Sequence, residues 1–355
     1  MTDARFMSSP GNLNGMPSAT SRSRAWSHFD IHDLIRLRTN VQLTTVPRHF
    51  QVDRVEPNLE IEMVDHLDGF PATGPRRIVG FTTHQTEDEG LYFECEVPVF
   101  SLFGGEARWR FHVHGLTGDA ARIVTALPFY EFRPVRFKAR QLLSKLALLV
   151  IALKLIRGGY AGCHATTLAR GDDAFLLFAY SGTGKSTIAA SLMNAGYRFL
   201  SDDFTIVDPD GRVYCYPDWH APRPTRMNVP LAKYLRKKPP FHQTGLPIGD
   251  RARVHSIFLL EGGPDHVEEL DREEALRRVM LVNMAEVSKL WNSPLSPILN
   301  QYAYFYPDLD FDDIMMRYRS CMQSFIGRAE KYYSVRSKSP TFDNVPELIS
   351  SLAGR

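Results

Sequence analysis

The sequence predicts an α/β fold of the α+β type, with a mixed sheet built round a phosphate-binding loop and a β-rich region ahead of it. Three observations predict it. Residues 41–127 break into short alternating or aromatic stretches (VQLTTV, LEIEMV, RRIVGFTT, LYFECEV, ARWRFHVHGL) separated by Gly, Pro and Asp, the pattern of half-buried strands. Residues 136–157 carry apolar side chains at helical spacing. Residues 160–216 then alternate strand, turn and helix patterns about SGTGKST, the context a phosphate loop requires. At 355 residues, 44% hydrophobic and 11% aromatic, the chain can bury one large core or two ordinary ones. The expected division is a disordered tail over 1–25, a β-rich domain over 26–130, a phosphate-loop domain over 131–335 and a C-terminal tail over 336–355.

Taken in order, the first residues are rich in Ser, Gly, Pro and Asn and lack the apolar core of a signal peptide. The helix expected over 136–157 closes on Gly158-Gly159. It carries Arg136, Lys138, Arg140, Lys145, Lys154 and Arg157 with no acid, which invites a membrane-surface reading. Its apolar positions surround too much of the helix for a thin amphipathic stripe, so a buried helix with a solvated basic face is the expectation. The longest apolar run, LALLVIAL, is bounded by Lys145 and Lys154 and is shorter than the roughly 18 to 20 residues that span a bilayer. No transmembrane span is expected. Beyond it, HATTLA, AFLLFAY, YRFL, FTIV and RVYCY read as strands, and KSTIAASLMNAG as the helix after the loop. YRFL is expected to lie beside the loop strand. The last third opens on the strand VHSIFLLE and continues as helices over DREEALRRVMLVNM and DFDDIMMRYRSCMQSFIGRAEKYY.

Lys and Arg number 42 against 40 Asp and Glu, a formal charge of +2, so net charge gives no ground for a nucleic-acid partner. Cys95, Cys163, Cys215 and Cys321 lie far apart without a CxxC pair. That suggests neither zinc nor a disulfide framework and fits a reducing cytoplasm.

Residues 179–186, AYSGTGKS, match G-x-x-x-x-G-K-[ST] except that Ala179 replaces the first glycine. Ala is tolerated there if its φ is negative. In such a loop the backbone N–H groups and the helix N-terminus surround phosphates, Lys185 reaches the β and γ oxygens, and the Ser186 hydroxyl ligates Mg²⁺. Ser181, Gly182, Thr183, Gly184, Lys185, Ser186 and Thr187 are the expected nucleotide-binding residues. Asp202 and Asp203 follow Lys185 by 17 and 18 residues. Of two adjacent carboxylates there, one can hold Mg²⁺ and the other can take the proton of an attacking hydroxyl. A transporter-type ATPase is disfavoured, because an LSGGQ-like signature and a downstream strand ending in Asp-Glu are missing.

These residues resemble the HPr kinase/phosphorylase family, with its phosphoenolpyruvate-carboxykinase-like nucleotide fold. The likeness runs through His164, the segment from Ser181 to Ser186, Gly196 to Arg198, and Asp202-Asp203, with 21 residues from His164 to Lys185. It covers residues 160–216. The resemblance implies an ATP- and Mg²⁺-dependent phosphotransferase in which Asp202 is the general base for a serine hydroxyl. It further implies that Asp203 and Ser186 hold Mg²⁺ and that His164 sits near the γ-phosphate or the first aspartate. His164-Ala165 and Ser201-Asp202-Asp203 are closest to the stand-alone kinases that phosphorylate natural-product precursor peptides. The family's glutamate-x-arginine-glycine element is not recognisable after Tyr216, which puts phosphorolysis in doubt. Cations beyond lysine and metal are needed to neutralise a transferring phosphoryl group, and Arg226, Arg223 and Arg253 are the candidates. The run LRKKPPFHQTG reads as a solvated basic loop. The expected partners are a nucleotide and a peptide or protein acceptor, with self-association left open. Two other readings stay open: a small-molecule kinase, and a nucleotide-binding regulator that transfers nothing.

Overall fold

The computed structural model describes residues 19–20, 24–67, 76–78, 81–86, 89–100, 105–218, 247–338 and 345–352. The first strands are β1 (Ala19–Thr20), β2 (Ser27–Ile31), β3 (Ile35–Thr39), β4 (Gln51–Val52), β5 (Leu59–Val64) and β6 (His66–Leu67). They are followed by β7 (Arg76–Ile78), β8 (Phe81–Gln85), β9 (Gly90–Phe100), β10 (Gly105–His114) and β11 (Ala121–Ala126). Nine of them form one mixed sheet in the order β4-β2-β3-β5-β11-β10-β9-β8-β7. β5 runs parallel to both β3 and β11, and the other pairs are antiparallel. Alternation in LEIEMV is expressed directly: Leu59, Ile61 and Met63 are buried while Glu60 and Glu62 meet Arg122 on the opposite face. Within the segment expected to be a tail, β1 pairs with β6 and Arg24 forms ion pairs with Asp65 and Glu131.

VQLTTV is not a strand. Val41, Leu43 and Val46 are buried, but the backbone there turns to the following helix, where Ser144 Oγ accepts from Thr44 N–H at 2.7 Å and the Ser144 carbonyl accepts from the Thr45 hydroxyl at 2.9 Å. That helix, α1 (Arg133–Arg157), starts with a proline in its first turn, and its centre, residues 146–151, is buried all round. It ends where the glycines predict: Gly158 N–H returns to the Lys154 carbonyl and Tyr160 N–H to the Leu155 carbonyl, with Gly159 at φ +86°. Among the described residues no helix is long and apolar enough to cross a membrane.

A second mixed sheet follows from β12 (Ala161–Cys163), β13 (Thr166–Arg170) and β14 (Asp173–Phe178). After α2 (Lys185–Asn194) come β15 (Arg198–Ser201), β16 (Thr205–Val207), β17 (Arg212–Tyr214), β18 (Arg251–Gly262) and β19 (His266–Glu269). Three helices, α3 (Arg272–Trp291), α4 (Pro297–Phe305) and α5 (Phe311–Ile326), lead to β20 (Lys331–Ser337) and α6 (Val345–Leu352). The strand order is β12-β16-β17-β18-β14-β13-β15, and β20 pairs with the far part of β18 and with β19. The helix expected to run through AEKYY stops at Gly327. KYYSVRS instead forms β20 parallel to β18, with Tyr333 and Val335 buried.

Residues of β14 and β18 alternate between two cores. Leu176, Phe178, Ile257 and Leu259 face the large core that contains α1, α3 and α5; Phe175, Leu177, Phe258 and Leu260 face a smaller one made with α2 and α6. Burial on both faces explains why these strands read as continuous apolar runs. The large core continues without a break into the first sheet through Leu37, Ile61 and Trp109. Cys95, Cys163, Cys215 and Cys321 are buried free thiols.

Candidate functional site

Three neighbouring strands bring the motif residues to one edge. β13 is antiparallel to both β14 and β15, so the loop after β14, His164 and Thr166 at the start of β13, and Asp202 just past β15 share an end of the sheet. β15 is not beside the loop strand as YRFL predicts. The RGDD turn folds β13 back against β14 and takes that position, so Asp202 reaches the loop across one strand.

Gly182 and Gly184 have φ of +91° and +95° and turn the chain into α2, with Gly184 at its N-cap. Among the described residues only His32, Asp33, Glu89 and Phe129 combine a side chain with positive φ. Ala179 therefore meets the condition set for replacing glycine. Lys185, in the first turn of α2, is buried, and its ammonium donates to the Ala179 carbonyl at 2.8 Å and to His164 Nε2 at 3.1 Å. With Nε2 accepting, the imidazole proton lies on Nδ1 and is donated to the Asp203 carbonyl at 3.0 Å. Burial first, and the Lys185 ammonium second, hold this histidine below its ordinary value, so it is neutral near pH 7.

Asp202 is 1% exposed. Its carboxylate accepts from the Ser186 hydroxyl at 2.9 and 3.1 Å and from the Thr166 hydroxyl at 2.7 Å. Asp203, one residue on, is exposed. The structure thus brings together Ser181 to Thr187, His164, Asp202 and Asp203.

It does not bring Arg253 to them. Arg253 pairs with Asp173 at the start of β14, while the loop leaves the other end of that strand, about 16 Å away at roughly 3.3 Å per residue. Arg223, Arg226 and the basic run LRKKPPFHQTG lie outside the described residues.

The motifs do not announce Glu286. This buried residue of α3 accepts from Ser181 N–H at 3.1 Å and from the Ser181 hydroxyl at 2.7 Å, and lies 3.8 Å from His164 Nε2. Asn283, a turn earlier, accepts from His164 N–H at 2.8 Å. A signal existed in the sequence: Glu286 continues the buried stripe Ala275, Val279, Val282, where an acid has no place unless it is paired. Elsewhere, His32, Cys215 and Asp250 converge, but Nε2 of His32 turns to the Cys215 carbonyl at 2.8 Å and Nδ1 to Asp250 at 3.7 Å. One ligand atom from each of the three lies within 4.8 Å of the others, burial pushes the Cys215 thiol up to about 12, and the His32 contacts tie the first sheet to the second.

No protein-family model and no curated protein matches the chain. Among solved structures, the Hpr(Ser) kinase/phosphatase from Coxiella burnetii is similar at 13% identity and a TM-score of 0.24, over 54% of this chain and 93% of that one. A likeness that loose carries no functional weight, and the chemistry rests on the geometry of the loop and its two flanks.

Proposed function

We propose that the chain is an ATP- and Mg²⁺-dependent kinase that transfers the γ-phosphate to a hydroxyl, most simply a serine of a peptide or protein. The observation that carries the reading is the contact of the Ser186 hydroxyl, in the first turn of α2, with the buried Asp202 carboxylate across β13. Hard oxygen donors of this kind suit Mg²⁺. A Cβ added at Gly182 would meet nothing within 4 Å, which leaves room beside the loop for a bulky anion. When bound, Mg²⁺ would neutralise charge on the β and γ oxygens of the nucleotide.

The chain's own residues then divide the work. Lys185 and the N-terminus of α2 offer positive charge to the phosphates. Neutral His164 fixes the Lys185 ammonium at the mouth of the loop without adding a second cation. The expectation that Asp202 takes the proton and Asp203 the metal is favoured in reverse by the contacts. Asp202 is closed off by Ser186 and Thr166, as suits a carboxylate that holds a cation together with Ser186, whereas Asp203 is open to an arriving hydroxyl.

Incubation with γ-labelled ATP and serine-containing peptides tests this. Label is expected in peptide. Asp203→Asn is expected to lower the transfer rate by about 10²- to 10⁴-fold, the usual worth of a general base. Asp202→Asn is expected to raise the Mg²⁺ concentration needed. Label in a small metabolite would mark a metabolite kinase, and binding without transfer a regulator. Full transfer by Asp203→Asn would remove Asp203 from the mechanism.

A further inference from the structure

On the side of the loop away from the aspartates lies a cavity of about 540 Å³. Resting on the kinase reading above, we infer that this cavity takes the base and ribose of the nucleotide whose phosphates the loop holds. Phe178, Leu259 and Val282 are among its apolar lining residues, and Tyr180 and Thr183 of the loop itself form one wall. The cavity is therefore continuous with the phosphate loop. It opens at the carboxyl ends of three mutually parallel neighbours, β14, β18 and β20, the place where open α/β sheets bind ligands.

Its position relative to the aspartates decides the occupant. The order β20-β18-β14-β13-β15 puts Asp202 and Asp203 two strands to one side of the loop strand and the cavity on the other. In phosphoryl transfer the attacking and leaving oxygens lie roughly in line, so acceptor and nucleoside occupy opposite sides of the moving group. An acceptor facing the aspartates leaves the cavity to the nucleoside.

The lining suits a flat, partly polar ring. Tyr180 is 54% exposed at the rim, and the guanidiniums of Arg277 and Arg336 supply further planar faces on which a base can stack. Arg336 is held by Glu261 at 3.3 Å, and Glu261 also lies 3.5 Å from Arg278, so acceptor and donor groups stand together at the edge. A volume of this size lies within the usual range for small-molecule sites, roughly 300 to 1,000 Å³.

Two substitutions reach the cavity without disturbing the loop. Gly262 lines it, has no strained φ, and a Cβ there would meet nothing within 4 Å, so Gly262→Leu adds bulk to the open space. Leu281 is half exposed on α3, so Leu281→Gln removes an apolar contact at little cost to folding. Binding of ATP and of inorganic tripolyphosphate, each with Mg²⁺, is measured for the wild type and both variants. The wild type is expected to bind ATP at least about tenfold more tightly than tripolyphosphate, and both variants to lose about tenfold in ATP affinity while keeping that for tripolyphosphate. Variants that leave ATP affinity unchanged, or lower both ligands alike, would overturn the nucleoside site and leave the kinase reading standing. A wild type that binds neither ligand would overturn the kinase reading and the nucleoside site with it.

Discussion

Glu286 sets a buried carboxyl group against the loop that we propose receives phosphate. Its carboxylate holds both the N–H and the hydroxyl of Ser181, donors that the loop also presents to an anion, and it lies within 4 Å of His164. Polyphosphate entering the loop must approach this buried carboxylate, and like charges in a desolvated setting repel strongly. Glu286→Gln keeps the shape and an acceptor for Ser181 while removing the charge. It is expected to tighten Mg²⁺–ATP binding several-fold by calorimetry, an order-of-magnitude reading of one charge at this range. Unchanged or weaker binding would mean that the carboxylate serves the loop's shape and does not compete with phosphate. At this scale the sequence was informative where the motifs lie: Ser186 meets Asp202, and Lys185 meets His164. No motif points to Glu286, whose only signal is its place in the apolar stripe of α3; it lies 105 residues from Ser181 and is brought to it by the packing of that helix.

Elements were legible wherever the hydrophobic period was long. The helix predicted over 136–157 forms as α1, because its apolar residues need burial on nearly every side and two glycines end it. VQLTTV failed as a strand because α1 supplied its hydrogen-bond partners through Ser144, a tertiary choice that no local pattern encodes. The position of YRFL failed for a similar reason, since a tight turn put HATTLA next to the loop strand first. α1 also carries a testable cost. The Lys154 amine donates to the Asp119 carbonyl at 2.6 Å, and burial, with Arg157 nearby, lowers its value from 10.5 to about 8. Below about pH 8 the folded chain holds this charge at a penalty; between about 8 and 10.5 the unfolded chain binds more protons, so this contribution to stability rises with pH. Lys154→Met is therefore expected to melt higher than the wild type at pH 7, with the advantage shrinking by pH 10.5. An advantage independent of pH would place the effect in packing alone.

At the scale of the whole molecule, two mixed sheets share one core through α1, and the edge that gathers Lys185, Ser186 and Asp202 belongs to the second. The first sheet reaches that half through polar contacts as well, such as the Tyr216 hydroxyl donating to the Thr45 carbonyl at 2.8 Å. The mixed α/β class could be read from alternating and helical patterns, but the strand order could not, because β14, β18 and β20 are neighbours drawn from distant parts of the chain. What the edge of the second sheet is for rests on one claim, that Lys185 and Ser186 receive a metal-bound triphosphate. Calorimetric titration with ATP, with and without Mg²⁺, on the wild type and Lys185→Ala tests it most directly. Metal-dependent binding is expected in the wild type, with a loss of about 10- to 100-fold on removing the lysine, the worth of a charged hydrogen bond. Binding that is indifferent to Mg²⁺, or that survives Lys185→Ala unchanged, would contradict it.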